Sequence, residues 1–320
     1  RPPPLPEPPP PSHWTASRGI EFLQQRDPTK PFFLWLSFAR PHSPYDPPQA
    51  YYDLYIDNPN VPEPVVGDWA NRYDRPVADV NAPRTRRSDD EIHRARAAYY
   101  GNITFIDHQI GRVLYELQKR DPSALKNTLM LFTSDHGDMM GDHHHWRKTY
   151  AYEASARVPF VLKAPKTMHI DRNVEMDQIV GWEDIMPTFL EAAGAPVPET
   201  VEGQSILPLL KDRQADWRPY YHGEHSPCYH PENANQFLTD QRWKYIWNPI
   251  TGEEQLFDLL ADPQECRDLA EVESEELARW RQRMVEELAG REEGLSDGKN
   301  LLPGPVPVWR FGEADELHLG

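Results

Sequence analysis

Leu129-Met130-Leu131-Phe132-Thr133-Ser134-Asp135-His136-Gly137-Asp138-Met139-Met140-Gly141-Asp142-His143-His144-His145-Trp146-Arg147-Lys148 is the stretch on which the reading of this chain turns. An apolar run gives way at once to a loop holding three acids, four histidines and two cations. A buried strand that ends in a polar, glycine-bearing loop is the usual place for an α/β fold to put its site. Neighbours on a regular strand point to opposite faces, so Asp135 and His136 can serve one metal only where the strand has broken, and Gly137 permits that break. A carboxylate with an imidazole can hold calcium, magnesium, manganese or zinc, and oxygen-rich surroundings favour the harder ions.

Working outward, residues 1–11 are nearly all proline and predict an extended polyproline strap. Apolar spacing predicts a helix over 15–26, then Pro31–Phe38 predicts a buried strand running into Arg40-Pro41-His42-Ser43-Pro44-Tyr45, a second strand-to-loop junction with a histidine. Residues 57–87 show no period, and a connection of that length is usually functional or disordered. Ser88-Asp89-Asp90-Glu91 matches a capping box that opens a long helix through Leu117, with Gly101 as its weak point. A short strand is expected at Arg157–Lys163 and a helix at Trp182–Ala193 closed by Gly194, with Pro187 as a kink or early boundary. This order predicts an α/β fold, a mostly parallel sheet flanked by helices.

Beyond Pro219 the pattern changes. Tyr220–His225, Gln236–Thr239, Trp243–Trp247 and Gln255–Leu259 are short, aromatic and separated by turn residues, predicting a small antiparallel sheet with a helix over 273–289. The expected organisation is a proline-rich strap over 1–14, the α/β domain over 15–218, and a small α+β subdomain with a tail over 219–320.

A chain of 320 residues can bury a real core. Its 51 acids against 34 bases, net charge −17, argue against a nucleic-acid or anionic-membrane surface, though a local metal and a few cations can still invert the potential at a site. Cys228 and Cys266 make neither a disulfide framework nor a zinc–thiolate site, and no apolar run reaches membrane-span length.

Taken together, these motifs resemble the formylglycine-dependent sulfatases and the related phosphonate monoester and phosphodiester hydrolases of the alkaline phosphatase superfamily. Pro31–Tyr45 resembles the family's central strand and active-site histidine, and Tyr99-Tyr100-Gly101 through Leu117 its long helix. Ser134–Asp138 resembles its second metal motif, and Gly141-Asp142-His143 with Trp146-Arg147-Lys148 its glycine–histidine–lysine loop, continued by Glu153–Pro159. Leu256–Leu259, Asp262–Glu265 and Asp268–Ala270 resemble the closing signature of its small domain. The resemblance implies an alkaline-phosphatase-like fold, a divalent metal (calcium first, then magnesium or manganese) on Asp135 and His136, Lys148 on the sulfate oxygens, and His42 on the ester oxygen. His143 is expected to orient the loop or contact substrate; a separate zinc or nickel site at His143–His145 is the alternative. His222, with Glu224, His225 and His230, is a candidate substrate contact. The implied substrate is a sulfated small molecule or saccharide, with no nucleic-acid or membrane partner.

The chain departs from that pattern in one respect. Neither Cys228-Tyr229-His230-Pro231-Glu232 nor Cys266-Arg267-Asp268-Leu269-Ala270 is the Cys-x-Pro-x-Arg from which the family makes its formylglycine nucleophile, and the early paired aspartates are also absent. The expectation is that these residues are the C-terminal portion of a longer polypeptide and need its N-terminal portion. A phosphonate or phosphodiester hydrolase, or a non-catalytic scaffold, are the competing readings.

Overall fold

The computed structural model describes residues 10–79, 81–170, 173–227 and 233–304. The proline run at 1–9, Cys228 and His230 lie outside them. The described residues form two bodies. The first holds those up to Val66, Arg72–Arg147 and Val158–Asn173; the second holds Gly67–Asn71, Lys148–Arg157 and those from Val174 onward.

In the first body, helix α1 (Pro11–Gln25) begins earlier than expected, so residues 11–14 are helical rather than part of a strap. Proline suits a first helical turn because φ is already near the helical value and its missing N–H is not needed there. After α2 (Gln49–Tyr52) comes α3 (Asp89–Arg120), whose start forms as the sequence predicts. Glu91 N–H donates to Ser88 Oγ at 3.3 Å, and Ser88 N–H donates back to the Glu91 carboxylate at 2.9 Å. Gly101 is a packing site rather than a weak point: a Cβ there would sit 3.0 Å from Tyr51 O, so glycine lets α2 approach α3.

Ala16 and Leu23 of α1 pack with Val113 and Leu117 of α3, and the Arg26–Asp121 ion pair, 2.8 Å, ties the end of α1 to the end of α3. Phe32, Leu34, Leu36 and Phe38 lie on this core in alternation, while Phe33 and Trp35 face away, 67% and 63% exposed. Pro31–Phe38 is therefore extended with period two, as expected of a strand, yet it joins no ladder among the described residues. After α4 (Pro122–Lys126), β1 (Met130–Thr133) pairs with β2 (Phe160–Lys163), Phe132 opposite Val161.

That pairing is antiparallel. Both sheets among the described residues are antiparallel, so the mostly parallel sheet expected from the sequence is not present there. Strand direction depends on how the chain returns between β1 and β2, which two local apolar runs do not encode; here Met130 lies opposite Lys163 and Thr133 opposite Phe160.

The second body contains α5 (Glu153–Ala156), α6 (Ile185–Ala192), α7 (Leu207–Lys211), the meander β3 (Tyr221–His225), β4 (Asn235–Thr239), β5 (Trp243–Trp247) and β6 (Glu254–Asp258), and α8 (Ser274–Glu287). Its strands run in the order β3-β4-β5-β6. Leu238, Tyr245, Trp247 and Leu256 bury one face against Leu277, Trp280 and Met284 of α8. Pro187 sits in the first turn of α6, where it is tolerated, and Gly194 just beyond the helix takes φ +69°. No helix among the described residues is long and apolar enough to cross a membrane.

Candidate functional site

β1 stops at Thr133, and short-range bonds fold the next residues into a turn. Ser134 Oγ donates to His136 O at 2.8 Å, and His136 N–H donates to Asp135 Oδ1 at 3.1 Å. His136 Nδ1 faces the Gly137 carbonyl at 2.7 Å, which assigns the ring proton to Nδ1 and the lone pair to Nε2. Nε2 in turn lies 3.5 Å from Asp135 Oδ2, whose side chain is 71% exposed. A metal-ligating histidine usually has this arrangement, one nitrogen held by a backbone carbonyl and the other offered to the ion. The pair therefore fits a divalent cation as two of its ligands. Calcium and magnesium each take six or more, so the pair is a partial donor set. Among the described residues, no group of three or more His, Cys, Asp and Glu side chains could hold a metal ion, either here or at His143–His145.

The His42 junction meets this turn. Arg40 forks onto Asp46 at 2.6 and 2.9 Å, and His42 Nδ1 lies 2.7 Å from Ser43 O. The His42 ring stands edge-on to His136, 5.8 Å between centroids. Tyr45 Oη donates to Asp138 Oδ2 at 2.7 Å, joining loops 93 residues apart. Burial, reinforced by the Asp138 charge, pushes the Tyr45 phenol far up; the same two causes raise Tyr99, edge-on to Tyr45, to about 12.

From Met139 to Arg147 the loop closes on itself. Met139 N–H donates to Arg147 O at 2.7 Å and Gly141 N–H to His145 O at 2.9 Å, with Met140, Gly141, His143, His144 and Arg147 all at positive φ. Such backbone persists only where surroundings hold it, and here those surroundings come from α3 and the 57–87 connection. Arg96, 6% exposed, donates to Met140 O at 3.0 Å and to Asp142 Oδ1 at 2.5 Å. His143 N–H donates to Val65 O at 2.7 Å, Thr85 N–H to His144 O at 2.9 Å, and Trp146 N–H to Pro83 O at 2.9 Å. The long aperiodic connection is thus a bracket for this loop. His143 is 3% exposed, held between these contacts. His145, 1% exposed, gives its Nδ1 proton to His143 O at 2.6 Å, and burial holds its pKa well below the usual imidazole value.

Lys148 belongs to the second body. There Thr149 O accepts from Asn235 Nδ2 at 3.0 Å, next to Lys148 in the chain. The pleat separates the candidate histidines of β3. His222 pairs with Leu238 on the α8 face, 2.7 Å from Gln236 Oε1 and 3.7 Å from Glu287 Oε1. His225 pairs with Asn235, on the face that Thr149 contacts. Burial, with Lys148's charge among the lesser causes, lowers His225 below the usual imidazole value.

Sequence reasoning did not single out Arg96 or the Tyr45–Asp138 bond. Arg96 had a signal, a cation standing among Ile92, Tyr99 and Ile103 on the apolar face of α3. Tyr45–Asp138 had none, because nothing local links positions so far apart.

Two family models match the chain: Sulfatase over residues 13–195, and the C-terminal model of N-sulphoglucosamine sulphohydrolase over 141–293. The chain is 45% identical over 299 residues to an arylsulfatase of Clostridium perfringens, covering 92% of this chain and 61% of that protein. The chain thus spans less than two thirds of that relative's length. Its structure is similar to a phosphonate monoester hydrolase from Silicibacter pomeroyi, TM-score 0.70 at 27% identity, covering 88% of this chain and 61% of that one. It also shares its fold with a 2-O GAG sulfatase, TM-score 0.72 at 22% identity, covering 92% and 69%. With the strand-end Asp–His turn and the bracketed loop in place, the chain belongs to the sulfatase family of the alkaline phosphatase superfamily.

Proposed function

We propose that the whole protein hydrolyses sulfate esters, with Asp135 and His136 holding a divalent cation, calcium first, and a formylglycine nucleophile lying outside these residues. The observation that carries this reading is the turn after β1: His136 offers Nε2 beside the Asp135 carboxylate, with the His42 ring 5.8 Å away. A cation bound there supplies Lewis-acid polarisation of the sulfuryl oxygens. Lys148 contacts the sulfate oxygens and sets a fixed positive charge where negative charge develops. His42 holds its Nδ1 proton on Ser43 O, so it is Nε2, once protonated, that donates to the ester oxygen and hands the leaving alkoxide its proton. His143 acts by orienting the loop. The substrate is a sulfated small molecule or saccharide.

Turnover of 4-nitrophenyl sulfate against the matching aryl phosphonate by the complete protein tests this. Sulfate preferred at equal concentration, with Lys148→Ala lowering turnover by about 100-fold or more, is the expected result; strong preference for phosphonate would sink it. The phosphonate and phosphodiester reading is kept as the alternative because of the fold shared with the Silicibacter pomeroyi phosphonate monoester hydrolase. Residues 1–320 without the remainder of the protein are expected to show no hydrolysis.

A further inference from the structure

A buried ion cluster lies under the segment that carries Lys148. Lys244, on the inner strand β5 and 1% exposed, donates to Glu153 Oε1 at 2.5 Å and to Glu265 Oε1 at 2.9 Å. Glu265, also 1% exposed, turns its second oxygen to the Glu153 backbone N–H at 2.7 Å. Its own carbonyl accepts from Trp69 Nε1 at 2.7 Å, and Trp69 packs against Tyr152, rings tilted 30° with centroids 4.7 Å apart. Tyr152 Oη donates to Gln255 Oε1 at 2.7 Å, and Asn235 Nδ2 donates to Thr149 O at 3.0 Å. Between Lys148 and Arg157 the chain is therefore tied to β4, β5, β6 and the turn after β6.

Stability alone is a poor reason for this arrangement. Burying one ammonium with two carboxylates costs desolvation that the mutual attraction barely repays, and well-packed apolar residues commonly serve a fold as well or better. Burial opposes Lys244's charge, yet the two carboxylates outweigh it and keep the group an ammonium; burial and the Glu153 charge together raise Glu265. What the ions supply is direction. Two charged hydrogen bonds hold Glu153, five positions after Lys148, one from Lys244 to its carboxylate and one from its own N–H to Glu265, and they fix the path of the backbone between them.

We propose that Lys244, through Glu153 and Glu265, is a positioning residue for Lys148, so that the small antiparallel sheet sets where the sulfate-contacting ammonium stands. The proposal rests on Lys148 having that role. The expected cost of losing the clamp is about 100-fold in kcat, the scale of a misplacement near 1 Å, with KM little changed.

A double-mutant cycle in the complete protein, read as kcat and KM on 4-nitrophenyl sulfate, tests it. Lys244→Met should lower kcat strongly in the native background and have no further effect in the Lys148→Ala background. Asn235→Ala removes the neighbouring strut without stranding a buried charge, and should lower kcat several-fold in the same background-dependent way even if Lys244→Met fails to fold. Effects that simply multiply with Lys148→Ala, or an unchanged kcat in Asn235→Ala together with a folded Lys244→Met, would overturn the positioning role. A fully active Lys148→Ala would instead overturn the role of Lys148, and this inference with it.

Discussion

Tyr45 Oη rests 2.7 Å from Asp138 Oδ2, and this one bond couples the His42 loop to the Asp135–His136 turn. The phenol is half-buried, and burial with the Asp138 charge pushes its pKa up, so it stands as the donor to that carboxylate. Asp138 also accepts from the backbone N–H groups of Met140 and Arg147 at 3.1 and 3.0 Å, through its other oxygen.

Tyr45→Phe keeps the ring and removes only the donor. It leaves a charged, partly covered carboxylate oxygen without that partner and should cost about 1–3 kcal/mol in urea unfolding. An unchanged midpoint would mean water replaces the hydroxyl without loss.

Arg96→Met should be far more damaging. Arg96 serves the Met140, Pro62 and Glu63 carbonyls and the Asp142 carboxylate at once, so its loss strands a partly buried carboxylate and unsatisfied backbone oxygens. The expected loss is about 3–5 kcal/mol. Arg96→Lys should recover little, because a point charge cannot copy a guanidinium fork. Near-complete recovery by lysine in chemical denaturation would contradict the account.

His145 gives the fold an acid-sensitive element. Burial lowers its folded pKa well below 6.5, its value in a free chain, so below 6.5 the unfolded chain binds a proton that the native ring refuses. Stability should therefore fall as pH drops from 6.5 towards the folded pKa. His145→Gln, whatever its absolute stability, should show a shallower fall over that window; an identical pH slope would remove His145 as the source.

Two glycines should respond in opposite directions to alanine. A Cβ at Gly223 would sit 2.1 Å from the Phe237 ring that covers it across the β3–β4 ladder, so Gly223→Ala should cost about 1–3 kcal/mol. Gly111, exposed on α3 with nothing within 4 Å, should instead gain about 0.5–1 kcal/mol. Thermal unfolding of both variants checks the contrast, and a stabilised Gly223→Ala would show the ring can move aside freely.

The sequence by itself determined what depends on neighbours along the chain. The Ser88 capping box, the period of α3, the alternation of Phe32 to Phe38 and the turn signals around β3 to β6 are all local, and each is found in the structure, as is a strand that breaks before Asp135, though at Thr133 rather than Gly137. The candidate pair Asp135–His136 and the candidate His42 stand out for the same reason, since both follow the end of an apolar run. Tertiary structure decided everything that needs two distant segments to meet. It ran β1 and β2 antiparallel, set His42 beside His136, placed Arg96 under the 139–147 loop, and gave Lys148's segment to the small sheet through Lys244. It also divided His222 from His225 by face, which depends on cross-strand register. Periodicity reports which side of an element seeks cover. It carries no information about which partner, many tens of residues away, will supply it.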